Sequence, residues 1–327
     1  MTSKRPDSDL LRRVRTYAPP PIHFDPHTAS QEDLLRHGFP QRPDPKKHPE
    51  LARLWKRAFA RPVRFDEAEV VIDPVMGSRD PLPTTAAAES RWAGVVKLMS
   101  TASGSDFDQP ATMVFAQWQL PSVFAVSADE TLAVAFWVGL DGHPSLSGPA
   151  SKQVLQAGIA AQVNPPTWPW ESASVKWWAW TEWYDAVNQQ QACAVKNFPV
   201  GPGDVIFAVV CAPQPDFGYV SMMNVTRGIG RSVGIPAPSG ITVQGKSAEW
   251  IVEIPPDSPH MPYFNPVTFT DCNGGSLQHG VFNLTGGNPT DIRGPGSSSN
   301  PYGTALTQTS IASPTVAVVE ELGVDWV

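Results

Sequence analysis

The sequence predicts an all-β protein, a sandwich or barrel of antiparallel strands, with a short helical and extended segment in front. Three observations carry that prediction. From about residue 90 onward, short runs rich in Val, Ile, Phe and Trp recur, with turn residues between them. They fall at 95–99, 112–119, 132–140, 205–211, 219–225, 248–254, 268–270 and 317–320. No long amphipathic helix interrupts them, which argues for a sandwich or barrel. Composition agrees: 35 Pro and 25 Gly in 327 residues, with 17% charged, suit a turn-rich β protein. This length buries a full core, as one large domain or two.

The first 88 residues read as a segment of their own. Residues 1–16 are polar and basic, and no apolar run follows Arg12-Arg13, so no export signal is legible. No stretch is apolar and long enough to span a membrane. Residues 17–26 are proline-rich and extended. Ser30 followed by Asp33 resembles a capping box that opens a short helix carrying Leu34 and Leu35, and Gly38 stops it. A second helix is predicted over 49–61, with Leu51, Leu54, Trp55, Ala58 and Phe59 as its apolar stripe. Residues 73–88 read as a linker. Residues 1–66 hold about 14 Lys/Arg against about 8 Asp/Glu, whereas the whole chain carries −7. The arm is basic and the body acidic. With no aromatic-interleaved motif in the arm, nucleic acid is not the expected partner; the acidic body is.

Four runs hold the candidate chemistry. In Ser247-Ala248-Glu249-Trp250-Ile251-Val252-Glu253, strand alternation puts Glu249, Ile251 and Glu253 on one face. A carboxyl fixed there amid apolar residues is one whose pKa burial raises, as a general base or acid requires. In Trp177-Trp178-Ala179-Trp180-Thr181-Glu182-Trp183-Tyr184, one face holds Trp178, Trp180, Glu182 and Tyr184. Two indoles, a phenol and a carboxylate suit the floor of a cleft. Phe136 to Gly142 places Trp137, Gly139 and Asp141 together, with Asp141-Gly142 as a turn. Gln153 to Gly158 puts Gln156 on a short apolar strand. The Gly/Ser/Asn-rich region 273–313 reads as a long surface loop. Cys193, Cys211 and Cys272 are too sparse and odd in number for a disulfide framework; a Cys193–Cys211 pair stays open, and free buried thiols fit better. No zinc spacing, phosphate loop or dinucleotide fingerprint is present, so no metal or cofactor is expected.

In this order, the four runs resemble the glutamic peptidase family, the eqolisins, acid endopeptidases of fungi. The matching motifs are Trp137-Val138-Gly139-Leu140-Asp141-Gly142, Leu155-Gln156-Ala157-Gly158, Trp180 to Tyr184, and Ala248 to Glu253. Weaker echoes stand at Arg91-Trp92-Ala93-Gly94, Trp118-Gln119-Leu120-Pro121, Asn224 to Gly228 and Val267 to Asp271. The resemblance covers roughly residues 90–327.

It implies a catalytic domain over 89–327: a β-sandwich of two large antiparallel sheets, of the concanavalin A-like lectin and glucanase type, with the cleft on the concave sheet. It implies polypeptide substrates and a catalytic pair of Glu253 and Gln156. Glu253 would take a proton from the attacking water and return it to the leaving amine, and Gln156 would stabilise the oxyanion. Trp137, Asp141, Trp180, Glu182 and Tyr184 fall on cleft-lining positions, with Glu249 in support. Segment 1–88 stands where the family carries a propeptide. The expectation is that helix 49–61 docks its stripe on the body and its Lys/Arg near the acidic cleft, either as an inhibitory arm or as a permanent subdomain. A secreted or acidic location is implied, although no export signal is visible. Two departures touch specificity and stability: the loop 143–152 is longer than in the fungal enzymes and carries no cysteine, and Asp185 stands where proline is common. Two other readings compete. A carbohydrate-binding or glycoside-cleaving sandwich would use a Trp-rich cleft for sugars. Its catalytic carboxylates would be Glu182 with Glu253, because Glu249 and Glu253 lie about 13 Å apart. A silent binding module would keep the residues without the chemistry.

Overall fold

The computed structural model describes residues 7–61, 63–73, 75–76, 90–99, 110–126, 129–143, 152–166, 168, 171–186, 190–276, 280–295, 300 and 303–323. Two large sheets stack on one another. The first has ten strands. Its path runs through β1 (Arg15–Thr16), β13 (Ile229–Pro236), β12 (Phe217–Asn224), β11 (Val205–Gln214), β5 (Met113–Gln119), β16 (Val267–Ser276), β20 (Val316–Glu321) and β19 (Thr307–Ser313). Two more strands join off the path: β17 (Gly280–Asn283) pairs with β16, and β2 (Arg64–Phe65) pairs in parallel with β13. The second sheet has eight strands. They are β18 (Asn288–Thr290), β4 (Trp92–Leu98), β14 (Ser247–Glu253), β7 (Leu132–Leu140), β8 (Gln153–Asn164), β9 (Ser174–Asp185), β10 (Cys193–Val195) and β3 (Val70–Ile72). A small pair, β15 (Tyr263–Phe264) with β6 (Val123–Phe124), stands apart.

Alternation decides what each sheet buries. Trp250, Val252, Phe136, Val138, Ile159 and Trp183 of the eight-stranded sheet meet Val114, Trp118, Ala208, Val220 and Phe269 of the ten-stranded one in the main core. Trp250 ties the layers with a hydrogen bond as well, its Nε1 donating to the Phe115 carbonyl at 2.9 Å. The predicted sandwich is the observed one.

The outer face of the ten-stranded sheet is also apolar, and the N-terminal helices cover it. Helix α1 (Asp7–Arg13) leads in. Helix α2 (Gln31–Arg36) is capped as predicted: the Ser30 side chain accepts from the Asp33 N–H at 3.0 Å, and Gly38 ends it with φ 77°. Helix α3 (Pro49–Ala58) is shorter than predicted by three residues at its end. Its stripe of Leu51, Leu54, Trp55 and Ala58, with Phe59, is buried against Phe115, Phe207, Val209 and Met223. The arginines do not go where the sequence reading sent them. Arg57 and Arg61 both pair with Asp271 on β16, and Arg61 stacks 3.3 Å from the Phe207 ring centroid. They stand on the sheet opposite the candidate cleft, because the helix follows its apolar stripe and the apolar outer face belongs to the ten-stranded sheet.

Region 273–313 is not the structureless loop that its composition suggested. It holds the end of β16, then β17, β18 and β19. Gly275 shows why its glycines mislead. A Cβ there would come within 2.3 Å of the Leu51 side chain, so the glycine lets α3 press on the strand. All three cysteines are buried and unpaired. The expected linker 73–88 lies outside the described residues from 77 on, as does loop 144–151.

Candidate active site

The chemistry-bearing side chains stand on the face of the eight-stranded sheet that points away from the sandwich core. Register organises them into rows. Glu249 on β14 pairs with Gly139 on β7, Gly139 with Gln156 on β8, and Gln156 with Glu182 on β9. At ~4.8 Å between strands, Glu249 and Gln156 stand about 10 Å apart at their Cα atoms. The residue between them has no side chain. A Cβ on Gly139 would meet the Trp137 ring at 2.8 Å, the Leu155 carbonyl at 3.1 Å and Gln156 Cβ at 3.2 Å. The Trp137 ring and Gln156 thus close over Gly139, and only a residue without a side chain fits between the two functional groups.

Gln156 is held on one side only. Its Nε2 donates to Glu182 Oε2 at 2.9 Å, while its Oε1 has no partner among the described residues. Glu249 is fully buried, and neither carboxyl oxygen has a hydrogen bond of normal geometry. Burial, and then the nearby Asp141 charge, push its pKa well above the ordinary range; the Ser247 hydroxyl offsets part of this. Such a group is a strong proton acceptor once ionised and a willing donor afterwards.

The next rows form the apolar surroundings. Trp137, Gly158 and Trp180 line up across β7, β8 and β9. Trp92, Val96, Ile251 and Trp178 join Trp137 and Trp180 in one apolar cluster, with Tyr184 packed on it. Trp92 stands edge-on to Trp137 at 5.0 Å.

Two residues assigned to this site from sequence stand differently from the expectation. Glu253 is four residues from Glu249, about 13 Å along the strand, in the row of Ala135 and Trp92. Register does not bring it to Gln156. Its Oε2 accepts the Trp137 indole N–H at 2.8 Å, and burial raises its pKa to about 7 against the pull of the Trp92 and Trp137 indoles. Its carboxyl orients the indole that borders Gly139. Asp141 is fully buried, and its carboxylate turns to the chain that precedes β14. It takes φ 69° at the predicted turn and accepts the backbone N–H groups of Gln244, Gly245 and Lys246 at 2.6, 3.1 and 2.7 Å. It clamps the chain just before β14 and so fixes where Glu249 falls. Burial lifts its pKa to about 6, with those three N–H groups opposing. Trp180, Glu182 and Tyr184 share one face of β9, as alternation predicted.

Sequence reasoning missed Asp73 and Met76, both placed in the linker. Asp73 is 1% exposed. It follows β3 at the edge of the sheet, where its N–H donates to the Ala192 carbonyl. Its carboxylate accepts from Trp178 Nε1 at 2.5 Å and from the N–H groups of Val75 and Met76. Met76 is buried in the same cluster as Trp137, Trp178 and Trp180. Nothing in the local sequence signals this, because the partner indole lies 105 residues away. Among the described residues, no group of three or more His, Cys, Asp or Glu is arranged to hold a metal, and no helix is long and apolar enough to cross a membrane.

This fold is shared with glutamic peptidases. A scytalido-glutamic peptidase bound to a transition state analog inhibitor superposes with a TM-score of 0.53 at 21% identity, over 72% of this chain and 100% of the other. A second structure of scytalido-glutamic peptidase, with a peptide-based transition state analog, gives 0.51 at 22% over the same shares. SCP-B, an eqolisin in complex with the tripeptide Ala-Ile-His, gives 0.50 at 21%, again over 72% and 100%. No curated protein matches the chain. Residues 90–320 match the Peptidase A4 family, and the chain belongs to that family: it is a hydrolase of the glutamic peptidase type.

Two predictions follow from this geometry. Asp141, Glu249 and Glu253 all hold protons more tightly folded than unfolded. For Asp141 and Glu253 that stabilisation is fully present below about pH 4 and is lost as pH rises through about 6 and 7, and Glu249 acts in the same direction. Asp141 alone contributes on the order of 3 kcal/mol. Thermal unfolding midpoints are expected to fall between pH 4 and pH 7.5; midpoints that rise across that range would contradict the assignment. Second, Gly139→Ala is expected to lose most peptidase activity, since the new methyl meets the Trp137 ring at 2.8 Å and Gln156 Cβ at 3.2 Å and displaces both. Full activity in that variant would mean that their placement does not matter to cleavage.

Proposed function

We propose that the chain is an acid endopeptidase in which Glu249 is the general base and acid, and Gln156 holds the water and the oxyanion. One observation carries this reading. The Glu249 carboxyl and Gln156 Oε1, neither with a hydrogen-bond partner among the described residues, stand on either side of Gly139 in one row of the sheet. A water taken up between them with the substrate would bond both groups.

Glu249, ionised, removes a proton from that water as its oxygen attacks the scissile carbonyl carbon, and the carbonyl electrons move onto oxygen. The Gln156 N–H that Glu182 does not occupy donates to that oxyanion. The C–N bond then breaks, and Glu249 gives its proton to the departing amine. Glu182 keeps the amide of Gln156 oriented. Trp137, Trp180 and Tyr184 supply an apolar wall for the peptide, with Trp137 held by Glu253. The substrates are polypeptides. That role is supported by family membership and by the tripeptide and peptide-analog complexes of the similar structures.

The test is cleavage of an unfolded protein substrate from about pH 2 to 7 by wild type, Glu249→Gln and Glu253→Gln. Loss of about a hundredfold or more is expected in Glu249→Gln, the low end of what a general base supplies. Glu253→Gln keeps most of its activity, because glutamine Oε1 still accepts the Trp137 bond. The reverse pattern returns the base to Glu253. Silence of the wild type at every pH overturns the peptidase reading.

Segment 1–88 acts on this site through its last described stretch, in our reading. The support is the burial of Met76 among the cleft tryptophans and the Asp73–Trp178 bond, which lay chain over the face that a substrate would use. Met76→Ser is expected to raise the rate of cleavage. An unchanged rate, with folding intact, would leave the segment as a permanent subdomain.

A further inference from the structure

We propose that the N-terminal segment holds a second binding site, for a small aromatic carboxylate, in the cavity beside α3. The cavity has a volume of about 540 Å³, within the size range of small-molecule sites. It lies on the side of the ten-stranded sheet, away from Glu249 and Gln156. Its walls are the Trp55 indole and the rings of Pro45 and Pro49, with Ala52 between them; its cations are Arg42, Arg53 and Lys56, with His27 beside them.

Three features select the ligand class. The first is Arg42. Its guanidinium donates to the Pro26 and Ala29 carbonyls at 2.9 Å each, and its carbon lies 6.0 Å from the Trp55 ring centroid. Both acceptors are neutral, and among the described residues no carboxylate pairs with it. The cation is thus fixed in place and lacks a counter-charge, which lowers the ordering cost for an anion. The second is the balance of charge at the rim. Two carboxylates stand near: Asp25, whose Oδ1 is 3.8 Å from His27 Nδ1, and Glu50, 3.7 Å from Arg53 Nη2. Against them stand Arg42, Arg53 and Lys56 as full charges.

The third is a pair of buried nitrogens beside these cations that have no hydrogen-bond partner among the described residues. Trp55 is 1% exposed and its Nε1 has no acceptor; His27 Nε2 has no partner either. A carboxylate only accepts hydrogen bonds, so it suits a site whose charged groups are the cations Arg42, Arg53 and Lys56. The apolar walls limit the charged part to one end of the ligand. The rest is flat and apolar, to lie against the indole and the proline rings.

The experiment is equilibrium dialysis of the full chain against 3-phenylpropionate, with 3-phenylpropanamide as the neutral isostere. Saturable binding at one site is expected, with the amide at least about tenfold weaker. Ala52→Phe, which fills the cavity, is expected to abolish binding. Lys56→Gln combined with Arg53→Gln, two exposed side chains, is expected to weaken it about tenfold. The circular dichroism spectrum of each variant confirms that the segment is folded. Absence of saturable binding, equal binding of the amide, or unaltered binding by both variants overturns the proposal.

Discussion

The rest of this structure depends on one constraint, the antiparallel register of β14, β7, β8 and β9. It sets Glu249, Gly139, Gln156 and Glu182 in a single row across the sheet. Side chains alternate with a period of two, so a slip of one residue in any of these strands would turn its functional group into the sandwich core. Both faces of the sheet are apolar, and either would accept the wrong side chain sterically. The polar clamp at Asp141 removes that freedom. By holding three successive N–H groups just before β14, it allows one phase for the strand that carries Glu249. The turn residue that looks like part of a cleft is thus what makes the cleft possible.

Desolvation is the second theme, and it follows from the first. Aligning carboxyls among indoles deprives them of water, and burial is the first cause of the raised proton affinity at Asp141, Glu249 and Glu253. In a protein working near neutral pH this would be a standing cost. In acid, the same carboxyls are neutral and sit in apolar surroundings without penalty. Acid activity, as proposed, suits that stability, with one tension. As the proposed general base Glu249 has to be ionised, so it would need relief from its dry environment when substrate and water enter. The free N–H of Gln156 and the incoming water are the groups positioned to supply that relief.

Much of the architecture was legible in the sequence, because it rests on local pattern. Alternation in residues 177–184 separated Trp178, Trp180, Glu182 and Tyr184 from the core residues Ala179 and Trp183, and the structure keeps that division. Alternation could not choose between Glu249 and Glu253. Both lie on one face of one strand, and the choice depends on which residue of a neighbouring strand each one meets. That is a long-range fact, as is the Asp73–Trp178 bond. Composition misled at 273–313 for a related reason. Glycine there marks close packing against α3, a condition that the local sequence shares with an ordinary loop.

The N-terminal segment divides its work between the two sheets, and the division follows from its chemistry. Its helical part is amphipathic and basic, so it settles on an apolar outer face with Asp271 at hand, where Arg57 and Arg61 find their partner. Its last described stretch is extended, and extended chain adds most readily to a sheet edge. β3 does so at β10, and an edge left bare is a liability that most sheets cover. Asp73, just past β3, stands beside Ala192, the next position after Glu182 in the row that holds Glu249 and Gln156, and Met76 is buried among Trp137, Trp178 and Trp180. The stretch that covers the edge of the sheet therefore also reaches the face on which those side chains stand.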